Sequence, residues 1–149
     1  SYGPEARGGA SKAEVIISKE TIDYPKVKDC DIMLALTQVA CDKYINSLKS
    51  GGILIMDNSL KNKPDRKDIT IYSVPILDTA TDTLGKPMVA NIVALGSVYQ
   101  LTKIVSKESL EKAVLGRVPR GTEELNKKAL EAGFDLIKNH KEDCYGDVC

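Results

Sequence analysis

The chain has a single histidine among its 149 residues and no excess of either charge. A Ser-His-Asp or Cys-His catalytic arrangement would therefore have to use His140. That residue falls in the last turn of a C-terminal helical pattern, where a cation suits the helix dipole. Its expected role is a solvated cap. Lys plus Arg total 21 and Asp plus Glu total 21. This balance excludes the broad basic footprint used on nucleic acid or an anionic membrane. It also removes the repulsion that keeps like copies apart, so a homodimer stays open. No apolar run reaches the 18 residues or so of a membrane span. No signal peptide is visible.

Several motifs are also lacking. No G-x-G-x-x-G follows a strand, and no G-x-x-x-x-G-K-[ST] phosphate loop occurs. No C-x₂-C-x₂-C run is present to hold an iron–sulfur cluster. Carboxylates are scattered without a convincing acid/base pair. The chain does not read as a self-sufficient enzyme. Of its four cysteines, Cys30 and Cys41 sit in apolar-flanked segments and read as small buried hydrophobes. Cys144 and Cys149 lie in the tail "EDCYGDVC", too sparse for a disulfide framework and a weak metal signal. Reduced thiols in a cytoplasmic protein are expected.

What is present has the rhythm of one α/β domain. "SKAEVIIS" (11–18) is β-branched and predicts a strand. "DIMLALT" (31–37) and "ILIMD" (53–57) are continuous apolar runs, suited to strands buried on both faces. Between them, Val39, Cys41, Tyr44, Ile45 and Leu48 line one helical stripe that Gly51 and Gly52 stop. After a polar loop, "ITIYSV" (69–74) predicts another strand. "ILDTATDTLGK" then reads as a short helix closed by Gly85. Residues 87–105 begin with proline and are apolar nearly all round, predicting a buried helix. Two further helices follow, at 106–118 with Ser106 as N-cap and at 121–140 with Thr122 as N-cap. This order predicts a three-layer α/β/α fold with a mainly parallel sheet. The last ten residues, 140–149, read as a frayed tail.

Three stretches are candidates for function. The first is "SYGPEARGGA" (1–10), where Gly3, Gly8 and Gly9 permit tight backbone turns and close approach of a ligand. Successive N–H groups in such a turn can cradle an anion. Arg7 adds a planar fork for carboxylate or phosphate, with Glu5 to orient it. A plain turn feeding a strand is the competing reading. The second is "ANIVALG" (90–96). Asn91 stands in an apolar helix and needs a partner, and Gly96 lets something approach the helix closely. An internal brace between helix and strand end is the competing reading. The third is "VPRGTEELN" (118–126), where Arg120 precedes a helix N-terminus. A capped helix after a proline turn is the preferred reading of this stretch.

The same stretches carry a family likeness. "SYGPEARGGASKAEVIIS", "LKSGGILIMDNS", "MVANIVALGSVYQLTKIVS" and "RVPRGTEELNKKALEAGFDL" together resemble the gamma subunit of the 2-oxoacid:ferredoxin oxidoreductases. The likeness is collinear over residues 1–139, and "YGPEARGGASKAEV" most resembles the 2-oxoglutarate branch. The family begins with a strand, a glycine-rich loop and a helix ahead of that motif. An N-terminal βα unit is therefore missing here, and the chain reads as a piece of a longer protein. The resemblance implies a cytoplasmic, multi-subunit enzyme of anaerobic metabolism. Such an enzyme converts a 2-oxoacid and coenzyme A to acyl-CoA and CO₂, passing electrons to ferredoxin. Thiamine diphosphate with Mg²⁺ and the iron–sulfur clusters would belong to alpha, beta and delta-type subunits. This chain would shape the cleft and subunit interface through Glu5, Arg7, Gly8, Gly9 and Asn91. A non-catalytic interaction module and a stand-alone nucleotide-binding domain are the alternative readings.

Overall fold

The structure is a computed structural model that describes residues 10–24 and 26–140. Strand β1 spans Cys30–Ala35, β2 spans Leu48–Asp57 and β3 spans Thr70–Val74. They form one parallel sheet in the order β1-β2-β3. Leu34 lies opposite Ile55, and Ile55 opposite Tyr72.

Alternation along the strands sorts their side chains into two cores. Met33, Ala35, Leu54 and Met56 pack with Cys41 and Leu60 on one face. Ile55 and Val74 pack with Val93, Ala94, Ala129 and Ile137 on the other. The first face is covered by α1, Gln38–Tyr44. The second is covered by α3, Ala90–Thr102, and α5, Glu123–Lys138. The short α2, Ile76–Asp78, continues as a π-helical turn over Thr79–Thr83. The remaining helix, α4, spans Lys107–Leu115. The continuous apolar runs of β1 and β2 thus mean what they usually mean, a sheet covered on both sides.

Some expectations need correction. Residues 11–18 are not a strand: they lie outside regular structure, with Val15 79% and Ile17 62% exposed. β-branched residues favour a strand only where a neighbouring strand receives them, and none does among the described residues. The first helix stops at Tyr44 and passes through a 3₁₀ turn, Ile45–Ser47, so β2 begins five residues before the apolar run at 53. Helix α4 stops at Leu115, short of 118. Ser106 caps it as expected, its Oγ accepting the Ser109 N–H at 3.1 Å. Thr122 precedes α5 but does not cap it with its side chain. Its hydroxyl instead donates to the Pro119 carbonyl at 2.7 Å and accepts from Asn126 Nδ2 at 3.0 Å. Asn126, buried in α5, is satisfied in this way.

The side-chain stripes explain how α3 and α5 come so close. Gly96 and Gly133 face each other across the helix pair, and a Cβ on either would run into the opposite backbone. Ser97 Oγ donates within reach of both the Val93 and Gly133 carbonyls, at 3.2 Å each. What approaches at Gly96 is therefore α5.

An ion pair fastens the connection before β3. Arg66 donates through Nε to Asp68 Oδ1 at 3.0 Å and through Nη2 to Oδ2. Its Nη1 reaches the Ile45 and Leu48 carbonyls at 3.1 and 2.7 Å. The Arg66 hydrogen bond, then Ser50 and backbone contacts, pull the Asp68 carboxyl down to about 2 from an ordinary 3.8. A carboxyl lowered in the folded state contributes stability above its unfolded value, and loses it as pH falls through the folded one. Urea midpoints of the wild-type chain should therefore decline between about pH 4 and pH 2. In Arg66→Ala that part of the decline should be shallower. Parallel acid limbs for the two proteins would disprove the linkage.

Candidate functional site

The carboxyl ends of parallel strands are where α/β sheets present ligands and catalytic groups. Here that edge is organised by Asp57, the last residue of β2 and fully buried. Its Oδ1 accepts the Ser59 N–H at 3.0 Å and the Ser59 hydroxyl. Its Oδ2 accepts the Leu77 N–H at 2.8 Å. One carboxylate thus folds the turn after β2 and ties it to α2, which follows β3. The sequence reading missed this residue. Its signal was present: one acidic residue closing an apolar strand, followed by Asn58 and Ser59.

Beside that turn lies an open cleft of about 280 Å³ lined by Leu36, Thr37, Gln38, Ser59, Leu60, Lys61 and Asn62. Thr37 caps α1, its Oγ1 accepting the Ala40 N–H at 3.3 Å. The Gln38 carboxamide acts as a backbone surrogate. Its Oε1 accepts the Asn62 N–H at 3.0 Å and its Nε2 donates to the Asn62 carbonyl at 3.1 Å. A third bond, Nε2 to Asp42 Oδ1 at 2.7 Å, fixes the amide on the helix. The cleft wall is therefore held at both ends, by Asp57 and by Gln38.

The predicted site residues distribute unevenly around this frame. Glu5, Arg7, Gly8 and Gly9 lie outside the described residues, as do Cys144 and Cys149. The chain just beyond the glycines is anchored, because the Tyr44 hydroxyl donates to the Ala10 carbonyl at 3.1 Å. Lys12 and Glu14 pair at 2.6 Å, which raises the lysine and lowers the carboxyl from their ordinary values. Asn91 is not the buried amide its surroundings predict. It is exposed in the first turn of α3, with Oδ1 accepting the neighbouring Ile92 N–H at 3.0 Å. The apolar composition of α3 hides an outer face that nothing covers among the described residues. At the start of α5, Glu123 Oε2 accepts the Gly121 N–H at 2.7 Å, so the helix start is filled by its own side chain. Arg120 is exposed beside it.

His140 also differs from expectation. Helix α5 ends at Lys138, and the imidazole folds back onto Tyr72 of β3, with ring centroids 5.4 Å apart. Its Nε2 is buried and has no hydrogen-bond partner among the described residues. Cys41 is fully buried beneath the sheet, and burial pushes its thiol up, which keeps it protonated and unreactive. Among the described residues no three His, Cys, Asp or Glu side chains converge as a metal-binding group. No described helix is long and apolar enough to cross a membrane. Among the described residues, the buried Asp57, Ser97 and Asn126 side chains each anchor backbone.

Residues 1–136 match the family described as pyruvate ferredoxin/flavodoxin oxidoreductase. The chain is 51% identical over 140 residues to the 2-oxoglutarate synthase subunit KorC of Methanocaldococcus jannaschii, covering 93% of this chain and 75% of that protein. It is 30% identical to the ketoisovalerate oxidoreductase subunit VorA of Methanothermobacter marburgensis, over 95% of this chain but 30% of that protein. Among solved structures, the keto/oxoacid ferredoxin oxidoreductase gamma subunit of Geobacter sulfurreducens superposes with a TM-score of 0.82 at 50% identity. That superposition covers 94% of this chain and 78% of the other.

Proposed function

The chain belongs to the pyruvate ferredoxin/flavodoxin oxidoreductase family, and from that premise we propose that it is the gamma-type subunit of a multi-subunit 2-oxoacid:ferredoxin oxidoreductase acting on 2-oxoglutarate. The supporting observation is the collinear 51% identity to a 2-oxoglutarate synthase subunit, against 30% to a ketoisovalerate-type subunit. The reaction joins a 2-oxoacid and coenzyme A to give acyl-CoA and CO₂, with two electrons passed to ferredoxin. Thiamine diphosphate with Mg²⁺, and iron–sulfur clusters, supply the decarboxylation and electron transfer when bound. Among the described residues no three His, Cys, Asp or Glu side chains converge to hold a metal ion or cluster, and the cofactors are assigned elsewhere in the assembly, to alpha, beta and delta-type subunits, in a cytoplasmic complex.

Within that assembly residues 1–139 form the gamma-type domain, and its task is positioning. Arg7, beside Glu5, Gly8 and Gly9 in sequence, holds a phosphate of coenzyme A at the subunit interface, facing the enzyme's active cleft. The Tyr44–Ala10 hydrogen bond supports this role by fixing the chain immediately after the glycines. Arg7→Ala in the assembled enzyme should raise KM for coenzyme A about tenfold with little change in kcat, the loss of one charge-assisted contact. An unaltered KM would overturn the assignment. The substrate is tested separately, by viologen reduction with 2-oxoglutarate, pyruvate and 2-oxoisovalerate. Faster turnover of pyruvate than of 2-oxoglutarate would overturn the branch.

A further inference from the structure

The subunit reading leaves the cleft between α1 and the turn after β2 without a task. Both of its walls lie within the described residues, and both are held from inside the domain. Asp57 folds the turn, and Gln38 ties it to α1. The chain ahead of β1 is fastened at the other end of α1, where Tyr44 closes the helix and holds Ala10. At about 280 Å³ the cleft falls just under the range of drug-sized sites, so its occupant is small.

The polar groups around it set the occupant's chemistry. The acidic groups nearby are committed: Asp57 accepts three hydrogen bonds and Asp42 accepts from the Gln38 amide. Donors are left over. Among the described residues no hydrogen bond or ion pair engages the Lys61 ammonium or the Asn62 side-chain amide, whereas Lys63 has an interaction of its own. Thr37 Oγ1 accepts the Ala40 N–H and keeps its own proton to donate. Ser59 does the opposite. Its proton goes to Asp57, which leaves the oxygen lone pairs for a donor on the ligand. Leu36 and the buried Leu60 supply an apolar floor.

Independently of the subunit reading, we infer that this cleft binds a small hydroxycarboxylate. The ligand's carboxylate lies between the Lys61 ammonium and the Asn62 amide, within reach of the Thr37 hydroxyl. Its hydroxyl donates to Ser59 Oγ, and its short carbon chain rests on Leu36 and Leu60. One free ammonium matches a monoanion better than a phosphate dianion, which calls for several cations or a guanidinium fork. One acceptor among the donors selects a ligand that carries a hydroxyl. A carboxylate without one leaves Ser59 Oγ without a donor, and a neutral sugar gives Lys61 no counter-charge.

The test titrates the full chain, labelled with ¹⁵N, with lactate, propionate and inorganic phosphate while its amide spectrum is recorded. Lactate should shift the amides of residues 36–38 and 59–62, saturating with a Kd of about 1–10 mM, as suits a small ligand held by one charge-assisted contact. Propionate lacks the hydroxyl and should bind about fivefold more weakly, the loss of one neutral hydrogen bond. Phosphate should also bind more weakly than lactate. Lys61→Met should weaken lactate about tenfold, the loss of the charged contact, and Lys61→Arg should restore most of the affinity. Lys63→Met should leave lactate binding as it is. Lys61 is exposed, so these variants keep the fold, which the amides of β2 and α5 report. Four results would overturn the inference: no saturable shift at these residues up to about 100 mM lactate, propionate binding as tightly as lactate, phosphate binding more tightly, or full affinity in Lys61→Met. An equal loss in Lys63→Met would overturn it too, by showing that only the general charge of the loop matters.

Discussion

Gly133→Ala should lower the stability of the chain by about 3 kcal/mol, an effect at the upper end of what overpacking does. For a domain this long the melting temperature should drop by about 10 °C. The cause is geometric. A Cβ at residue 133 would be driven into the Val93 carbonyl oxygen, 2.9 Å from Gly96 Cα and 3.0 Å from Ser97 N. All three neighbours are backbone of one helix, so no side chain can rotate aside. The two helices must separate, and separation stretches the Ser97 hydroxyl bond to the Gly133 carbonyl. It also opens the Tyr99–Phe134 ring contact, now at 5.2 Å. Gly96→Ala should behave similarly, because its Cβ would meet the Leu130 carbonyl and lie 3.1 Å from Gly133 Cα. Gly116→Ala serves as the comparison. That glycine has ordinary right-handed backbone (φ −74°) at the end of α4, so alanine there should change stability by less than about 1 kcal/mol. Urea denaturation of the three variants measures this. Equal midpoints would show that the helix pair tolerates the extra carbon.

The same pair shows what the sequence reveals and where it stops. Gly96 is legible as a point of close approach, because glycine inside an apolar helix costs about 1 kcal/mol and needs a reason. The approaching element is not legible, since no periodicity records which helix faces which. The parallel sheet was readable because strands covered on both faces lose their polar alternation. The segment at 11–18 misled for a related reason. Val15, Ile16 and Ile17 carry the composition of a strand, but pairing depends on a neighbour that composition does not describe. Asn91 misled through averaging. A helix apolar on every side has no moment to show which side is open, so the exposed stripe was invisible until α5 and the sheet were placed. The family motif around Arg7 was readable, and the match to the family over residues 1–136 bears out the recognition.

Asp57→Ala should cost about 3 kcal/mol and should loosen the cleft locally. The side chain is fully buried and accepts three hydrogen bonds, from the Ser59 N–H, the Ser59 hydroxyl and the Leu77 N–H. Removing a buried acceptor strands its donors, at about 1–3 kcal/mol for each that water cannot reach. The three donors are not equal. Ser59 is exposed and rehydrates easily, whereas Leu77 N–H sits at the start of α2 beneath the buried Ile76. The Leu77 donor therefore dominates the cost. Asp57→Asn tests this directly. An amide retains one acceptor oxygen, which can keep the dominant Leu77 bond while exposed Ser59 turns to water, so well under half the loss should remain. The local consequence separates this from a general weakening of the core. Hydrogen exchange should quicken at 58–62 and 77–80 more than in α3 or α5, because Asp57 is what joins the turn after β2 to α2. With that turn loosened, the Gln38–Asn62 pairing holds the cleft wall at one end alone. Uniform loss of protection across the chain would show that Asp57 serves only the core. Loss confined to the turn and α2 would identify it as the residue that keeps the carboxyl edge of the sheet in shape for whatever the assembled enzyme brings there.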